Sequence, residues 1–349
     1  MNTMKAMVLE AFNHPLQMRE YPIPEPAQGE VRIKVKATGI CFTDVKIYRG
    51  LMGALSKKLP IVMGHEVAGI VDAIGTGVKE VSVGDRVALY IYDSCGHCRF
   101  CKKNRPYLCE DPRGQLGISR NGGYEEYLTW SADNLIKIPD NVPFEYAAVA
   151  TDAVTTCVHA LCERISLNQG DTILIMGTGG LGSNAVQVAK AMGAVVFAAD
   201  IDDIKLEAVK KLGADYIFNT RKCDLVKEIH KLTNNNGVDY TAEFAGIKET
   251  TELAFRCLGP AGTQVQPGYS PGKSFETDYL QLLLGERAIV SSRAANKGSV
   301  QKALQLISEG KIIPQIDPTA TGRLEDVNEL LQRLMDGKVV GRALIRFDD

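Results

Sequence analysis

Four cysteines within fifteen residues, Cys95, Cys98, Cys101 and Cys109, constrain this chain more than any other feature. Spaced C-x2-C-x2-C-x7-C, their thiolates can converge on one tetrahedral centre, each sulfur about 2.3 Å from a metal, as in a closed structural zinc site. Gly96, in the run Cys95-Gly96-His97-Cys98, supplies the tight turn this requires. An iron–sulfur cage is the other metal reading, since soft thiolates also suit iron. No proline follows the last cysteine, and the sequence holds a single such cage. Two disulfides or four idle thiols are the metal-free alternatives. Met1-Asn2-Thr3-Met4-Lys5 runs directly into a polar-interrupted strand pattern with no apolar signal core, so a cytoplasmic chain with reduced thiols is expected. Cys41, Cys157, Cys162, Cys223 and Cys257 are scattered, and taken singly they read as small buried apolar residues.

A length of 349 residues at 45% hydrophobic composition predicts two domains, each with its own core. No apolar run reaches the length of a membrane span, so no membrane partner is expected. A net charge of -2 lacks the concentrated basic face that nucleic acid demands, which leaves a small molecule as the expected partner. Residues 1 to about 150 read as short strands punctuated by glycine and proline, such as Val31-Arg32-Ile33-Lys34-Val35 and Asp85-Arg86-Val87-Ala88-Leu89. That texture predicts a partly open β-barrel. From about 153 to 294, apolar strands such as Thr172–Met176 alternate with helical stretches such as 185–192 and 203–212. Such alternation predicts a parallel sheet with helices on both faces. The tail carries amphipathic helices near 299–308 and 324–334, and a final strand, Ala343 to Phe347, expected to rejoin the first domain.

The second motif is Gly177-Thr178-Gly179-Gly180-Leu181-Gly182, directly after an apolar strand and opening a helix. Gly177 permits the tight turn, Gly179 lets backbone approach a pyrophosphate, and Gly182 lets helix and strand pack closely. Asp200 ends the next strand, where its carboxylate can accept both ribose hydroxyls and repel a 2′-phosphate. Ile201, Asp202 and Asp203 offer no arginine for that phosphate, so NAD is expected over NADP. A helix-capping aspartate before Ile204 fits Asp203 better than Asp200.

The third constellation is Gly64-His65-Glu66-Val67-Ala68-Gly69, followed by Gly75 and Val78, with Cys41-Phe42-Thr43-Asp44 upstream. A cysteine and a histidine at separated positions suit a catalytic metal site, which draws ligands from distant segments and leaves one position open. Alone, either residue would read as a core thiol or a satisfied histidine.

Together these motifs resemble the zinc-dependent medium-chain alcohol dehydrogenase family over essentially the whole chain. The G-H-E-x2-G-x5-G-x2-V signature from Gly64 to Val78, the four-cysteine lobe and the glycine-rich loop are all complete. The resemblance implies an α/β architecture: a GroES-like β-barrel catalytic domain, residues 1–152 and 295–349 with the lobe at 93–112, and a Rossmann doubly wound NAD-binding domain at 153–294. It implies two zinc ions per chain and an enzyme that transfers hydride between an alcohol and NAD. Cys41 and His65 are implied catalytic-zinc ligands, with Glu66 an auxiliary one. The family's usual second cysteine falls at Asp152, which resembles the aspartate version in many microbial members, and aspartate is a competent zinc ligand. Cys157 lies past Thr156, which matches the family's nicotinamide-contacting threonine. Thr43 matches the hydroxyl that hands the alcohol proton outward, and Asp44 the carboxylate that orients the ligand histidine. Lys46 stands where the family's outer proton relay usually has a histidine. Arg342 matches an arginine that binds the cofactor pyrophosphate. A homotetramer or homodimer through the strand near 287–290 is expected.

The substrate pocket is expected to draw on Phe42, the loop Leu51-Met52-Leu55, Tyr92-Asp93 and Arg113-Gly114-Gln115-Leu116. That mixture admits a polyol or a larger cyclic alcohol as readily as a simple aliphatic one, and a secondary, cyclic or polyol alcohol is the expected substrate. The alternatives are a polyol or sugar dehydrogenase of the same superfamily, and a dinucleotide-binding protein without activity.

Overall fold

The computed structural model describes residues 2–53 and 59–348. The chain divides into two units, one of Met1–Asp152, Ala295–Ser308 and Ile316–Asp349, the other of Ala153–Ala294 and Glu309–Gln315. The short stretch 309–315, expected with the first domain, belongs to the second. Gln187 explains this, because its side-chain amide donates to Ile313 O at 3.0 Å and accepts from Ile313 N–H at 2.8 Å.

In the first unit the long strand Glu30–Ile40 organises everything around it. Its period-two alternation buries Val31, Ile33 and Val35 and turns the intervening residues outward. It pairs antiparallel with Glu66–Ile74, Tyr127–Ser131 and the closing strand Arg342–Arg346. Ala343 lies opposite Ile40, so the C-terminal strand does return to this sheet. Trp130, Leu89, Val71 and Leu128 complete one core, at roughly 1.5–3 kcal/mol for each large apolar side chain removed from water. A second core gathers Met7, Leu9, Ile40, Ile47, Tyr124 and Ile345. The ribbon of Tyr92–Asp93 and Gly114–Gln115 is the stem from which the cysteine lobe projects.

The second unit is a six-stranded parallel sheet. Counted along the chain within the sheet, its spatial order is 3-2-1-4-5-6, the doubly wound dinucleotide order. The strands Thr172–Met176 and Val238–Glu243 flank the switch point, outside whose carboxyl ends such sheets bind ligands. Thr172–Met176 is buried and apolar after its first residue, as a strand covered on both faces must be.

Candidate metal and nucleotide sites

The four lobe cysteines converge. Cys98 Sγ lies 3.5 Å from Cys101 Sγ and 4.0 Å from Cys109 Sγ, and Cys95 Sγ lies 4.0 Å from Cys101 Sγ. A tetrahedron of sulfurs at zinc bonding distance has edges of about 3.8 Å, so the set fits a single zinc ion. These separations are far too long for S–S bonds, and all four thiols are free. Backbone N–H groups of Cys101 and Glu110 pull the Cys98 thiol down to about 6, whereas burial pushes Cys109 up to about 12. The stem is clamped by Asp93, which meets Arg120 at 3.1 Å and Asn134 Nδ2 at 3.3 Å. Arg120 also reaches Glu30 and lies over the Trp130 ring.

The second group is assembled from distant segments. Cys41 caps the helix Phe42–Tyr48, and its N–H donates to Asp44 Oδ2 at 2.8 Å. The other Asp44 oxygen meets His65 Nδ1 at 3.2 Å, which leaves Nε2 as the ring atom for a ligand bond. Gly64, at φ 92°, sets the backbone before His65, and a Cβ there would run into the ring of Tyr124. Opposite Glu66 stands Gly39, where a Cβ would overlap the Glu66 carboxylate. Asp152 lies in a π-helical turn, Ala150–Val154, a distortion often found at functional sites. Its Oδ2 is 3.5 Å from Cys41 Sγ. One ligand atom from each of Cys41, His65, Glu66 and Asp152 falls within 4.8 Å of all the others.

The electrostatics of this group suit a cation. Glu66 is fully buried and, among the described residues, neither of its oxygens has a hydrogen-bond partner, although Oε1 is 2.8 Å from Arg342 Nη2. Burial pushes the Glu66 carboxyl well up, against the pull of Arg342. Asp152, 26% exposed at its side chain, is held below the usual carboxylate range: burial raises it, but Arg342 and His65 outweigh that. His65 goes the other way, since burial lowers its pKa while Asp44 and Cys41 bring it well above the ordinary imidazole value. Uncoordinated buried carboxylate oxygens beside a thiol and an oriented imidazole are the donor set of a catalytic zinc site.

Arg342 is drawn into the same group. Its Nη2 is committed to Asp152 Oδ2 at 2.9 Å and to Glu66, and the residue is 5% exposed. Pairing of Arg342–Arg346 against Glu30–Ile40 carries it there as a counter-ion to the two carboxylates. The Cys157 thiol donates to Ala153 O and Leu181 O at 3.2 Å each. Thr43 and Lys46 are half-buried on the helix that Cys41 caps, and burial lowers the Lys46 ammonium. Of the expected pocket residues, Phe42 and Leu51 are exposed, Met52 is half-buried, and Leu55 lies outside the described residues. Leu116 is a core residue and Asp93 is bound into the arginine clamp, so neither is free to line a pocket. Tyr124, which spacing does not single out, is buried beneath Gly64.

In the second unit the glycine loop has the expected geometry. Gly177 adopts φ 85°, a Cβ at Gly182 would overlap Gly177 O, and a Cβ at Gly179 would meet nothing within 4 Å. Leu181 precedes the helix Gly182–Ala191, Gly180 O accepts from Asn184, and Thr156 is half-buried in the helix Thr155–Val158. The open approach at Gly179 and the helix N-terminus fit a pyrophosphate. Asp200 is already engaged: Oδ2 accepts from Thr178 N–H at 2.7 Å and Thr178 Oγ1 at 3.0 Å, and Oδ1 from Ile201 and Asp202 N–H. Of these donors the hydroxyl of Thr178 is the one free to rotate away. Asp202 caps the following helix through Ile204 N–H, whereas Asp203 pairs with Lys222.

Residues 27–140 match the alcohol dehydrogenase GroES-like domain, and residues 180–309 match the zinc-binding dehydrogenase family. An alcohol dehydrogenase of Geobacillus stearothermophilus is 37% identical over 348 residues, covering 99% of this chain and 100% of the relative. An NAD-dependent alcohol dehydrogenase of Sulfurisphaera tokodaii is 33% identical, covering 98% of this chain and 99% of its own. Among solved structures, acetophenone reductase from Geotrichum candidum in complex with NAD superposes with a TM-score of 0.87 at 32% identity, over 99% of this chain and 97% of that one. The chain belongs to the zinc-dependent medium-chain alcohol dehydrogenase family.

Proposed function

We propose that this protein is an NAD-dependent zinc alcohol dehydrogenase acting on a secondary, cyclic or polyol alcohol. The observation that carries this reading is the convergence of Cys41, His65, Glu66 and Asp152 in a chain of this family. Bound zinc supplies Lewis acidity and bound NAD the hydride acceptor. Cys41, His65 and Asp152 hold the metal, Asp44 fixes the tautomer and aim of His65, and Glu66 is an exchangeable fourth donor restrained by Arg342. Thr43 takes up the proton of the substrate hydroxyl, and water completes its exit where Lys46 replaces a histidine. Cys95, Cys98, Cys101 and Cys109 hold a structural zinc. Gly177, Gly179, Gly180, Leu181 and Gly182 receive the pyrophosphate, Asp200 the adenosine ribose and Thr156 the nicotinamide. A screen of secondary alcohols, polyols and cyclic alcohols for NAD reduction tests the substrate class. Turnover with none of them, in protein that binds NADH, overturns it in favour of a dinucleotide-binding role.

Asp200→Ala tests the cofactor assignment. Losing charge-assisted hydrogen bonds raises the Michaelis constant for NAD by about tenfold or more and narrows the preference over NADP. An unaltered preference places discrimination elsewhere.

The protein is a cytoplasmic homo-oligomer in this reading. Among the described residues no helix is long and apolar enough to cross a membrane. The strand Ala288–Ser291 is the sheet edge, and the preceding helix Tyr279–Leu284 exposes Tyr279, Leu280, Leu283 and Leu284. An apolar face beside an unpaired edge invites a second copy. Light scattering at micromolar concentration distinguishes a dimer or tetramer from the monomer that would refute this.

A further inference from the structure

The carboxyl end of the strand Leu258–Gln266 breaks the apolar rule of this sheet. Gln264 is fully buried, Gln266 is half-buried, and they follow one another on the same face. Buried amides in a sheet interior are costly unless every polar atom finds a partner. Here they do. Thr241 Oγ1 donates to Gln264 Oε1, Gln264 Nε2 donates to Gln266 Oε1 at 2.9 Å, and Gln266 Nε2 donates to Glu243 Oε2 at 2.6 Å and Gly268 O at 3.0 Å. Glu243, fully buried at the end of the neighbouring strand, collects Ala245 N–H, Gly246 N–H and Thr250 Oγ1 as well. Among the described residues it has many donors and no cationic partner within hydrogen-bond reach.

We propose that Glu243 and Gln266 form a polar clamp that positions the loops 244–247 and 267–270 to receive the nicotinamide half of the dinucleotide. The proposal rests on the NAD reading above. Glu243 ends the strand directly across the switch point from the glycine loop, and a Cβ at Gly177 would lie 3.0 Å from Ala245 N. The pyrophosphate loop and the clamped loop are therefore neighbours. Asp200 directs the adenosine half toward one side of the switch point, so the other half crosses to the side of Glu243 and Gln266. The two clamped loops are interlocked: Ser270 Oγ donates to Gly246 O at 2.6 Å, and side chains at Gly246 or Gly268 would strike the facing backbone. Gln266 acts through Glu243, as a positioning residue.

Binding of two probes tests this. Wild-type protein is expected to bind both NADH and ADP-ribose, which lacks the nicotinamide. Gln266→Leu is expected to keep its ADP-ribose affinity within about twofold while weakening NADH by about tenfold, the scale of one lost hydrogen bond to a charged group. Thr250→Val, which removes a different donor from Glu243, should shift the NADH to ADP-ribose ratio the same way, and it serves alone if calorimetry shows Gln266→Leu unfolded. Equal weakening of both probes, or unchanged NADH binding in a folded variant, overturns the clamp. Failure of the wild type to bind either probe overturns the NAD reading itself.

Discussion

The molecule presents two cysteine-containing metal groups built on opposite plans. The lobe takes four identical thiols from fifteen consecutive residues, half-buried, on a two-strand stem. The other takes a thiol, an imidazole and two carboxylates from residues 41 to 152 and sets a buried arginine against them. A local, closed, all-sulfur cage has no position for a substrate; a mixed set with oriented imidazole and an exchangeable carboxylate does. The difference teaches that, in the function proposed above, chemistry belongs to the group that the whole barrel must fold to assemble.

Three substitutions sharpen this contrast. Thr43→Ala should lower turnover by about a hundredfold or more, the range of a lost proton-transfer group, while Lys46→Ala leaves it near wild type. A collapse in Lys46→Ala would make the lysine part of the proton route. Asp44→Asn should next weaken zinc at the buried group by about 10–100-fold without changing the lobe's ion, as measured by competition with a chelator. Because Asp44 and Cys41 keep His65 protonated above its ordinary range, metal uptake there releases a proton, and affinity should rise with pH. Equal zinc affinity at about pH 6 and about pH 8 would contradict the imidazole's role.

The smallest effect lies outside both groups and serves as their control. Glu125 is buried, and burial alone raises its carboxyl well above the usual range. The folded state then holds a proton that the unfolded chain releases, so stability is full below the ordinary glutamate range and is lost as pH rises toward the raised value. Glu125→Gln should raise the melting temperature by about 2 °C or more near pH 8 and little near pH 4, with zinc content unchanged. A variant that destabilises equally at both values would mean that the carboxylate is charged and satisfied.

Local spacing made the lobe and the glycine loop legible, since fifteen and six residues respectively contain nearly all of each geometry. The alternation of Val31, Ile33 and Val35 likewise announced the barrel strand. What spacing could not reveal was set by pairing between remote strands. Nothing in the spacing shows that the closing strand, laid against Glu30–Ile40, delivers Arg342 to Glu66 and Asp152. Leu116 and Asp93 read as pocket residues until the stem ribbon turns one into the core and the other onto Arg120. Thr178 gave no signal as a partner of Asp200, although a hydroxyl within a glycine loop was the clue available.

Zinc content per chain, measured with NAD reduction on Asp152→Ala and Cys98→Ser, tests the central claim most directly. The wild type should carry two ions and each variant one. Turnover should vanish in Asp152→Ala, whereas Cys98→Ser should loosen the lobe and retain catalysis at its remaining ion. An Asp152→Ala protein that kept two zinc ions and full turnover would contradict the account.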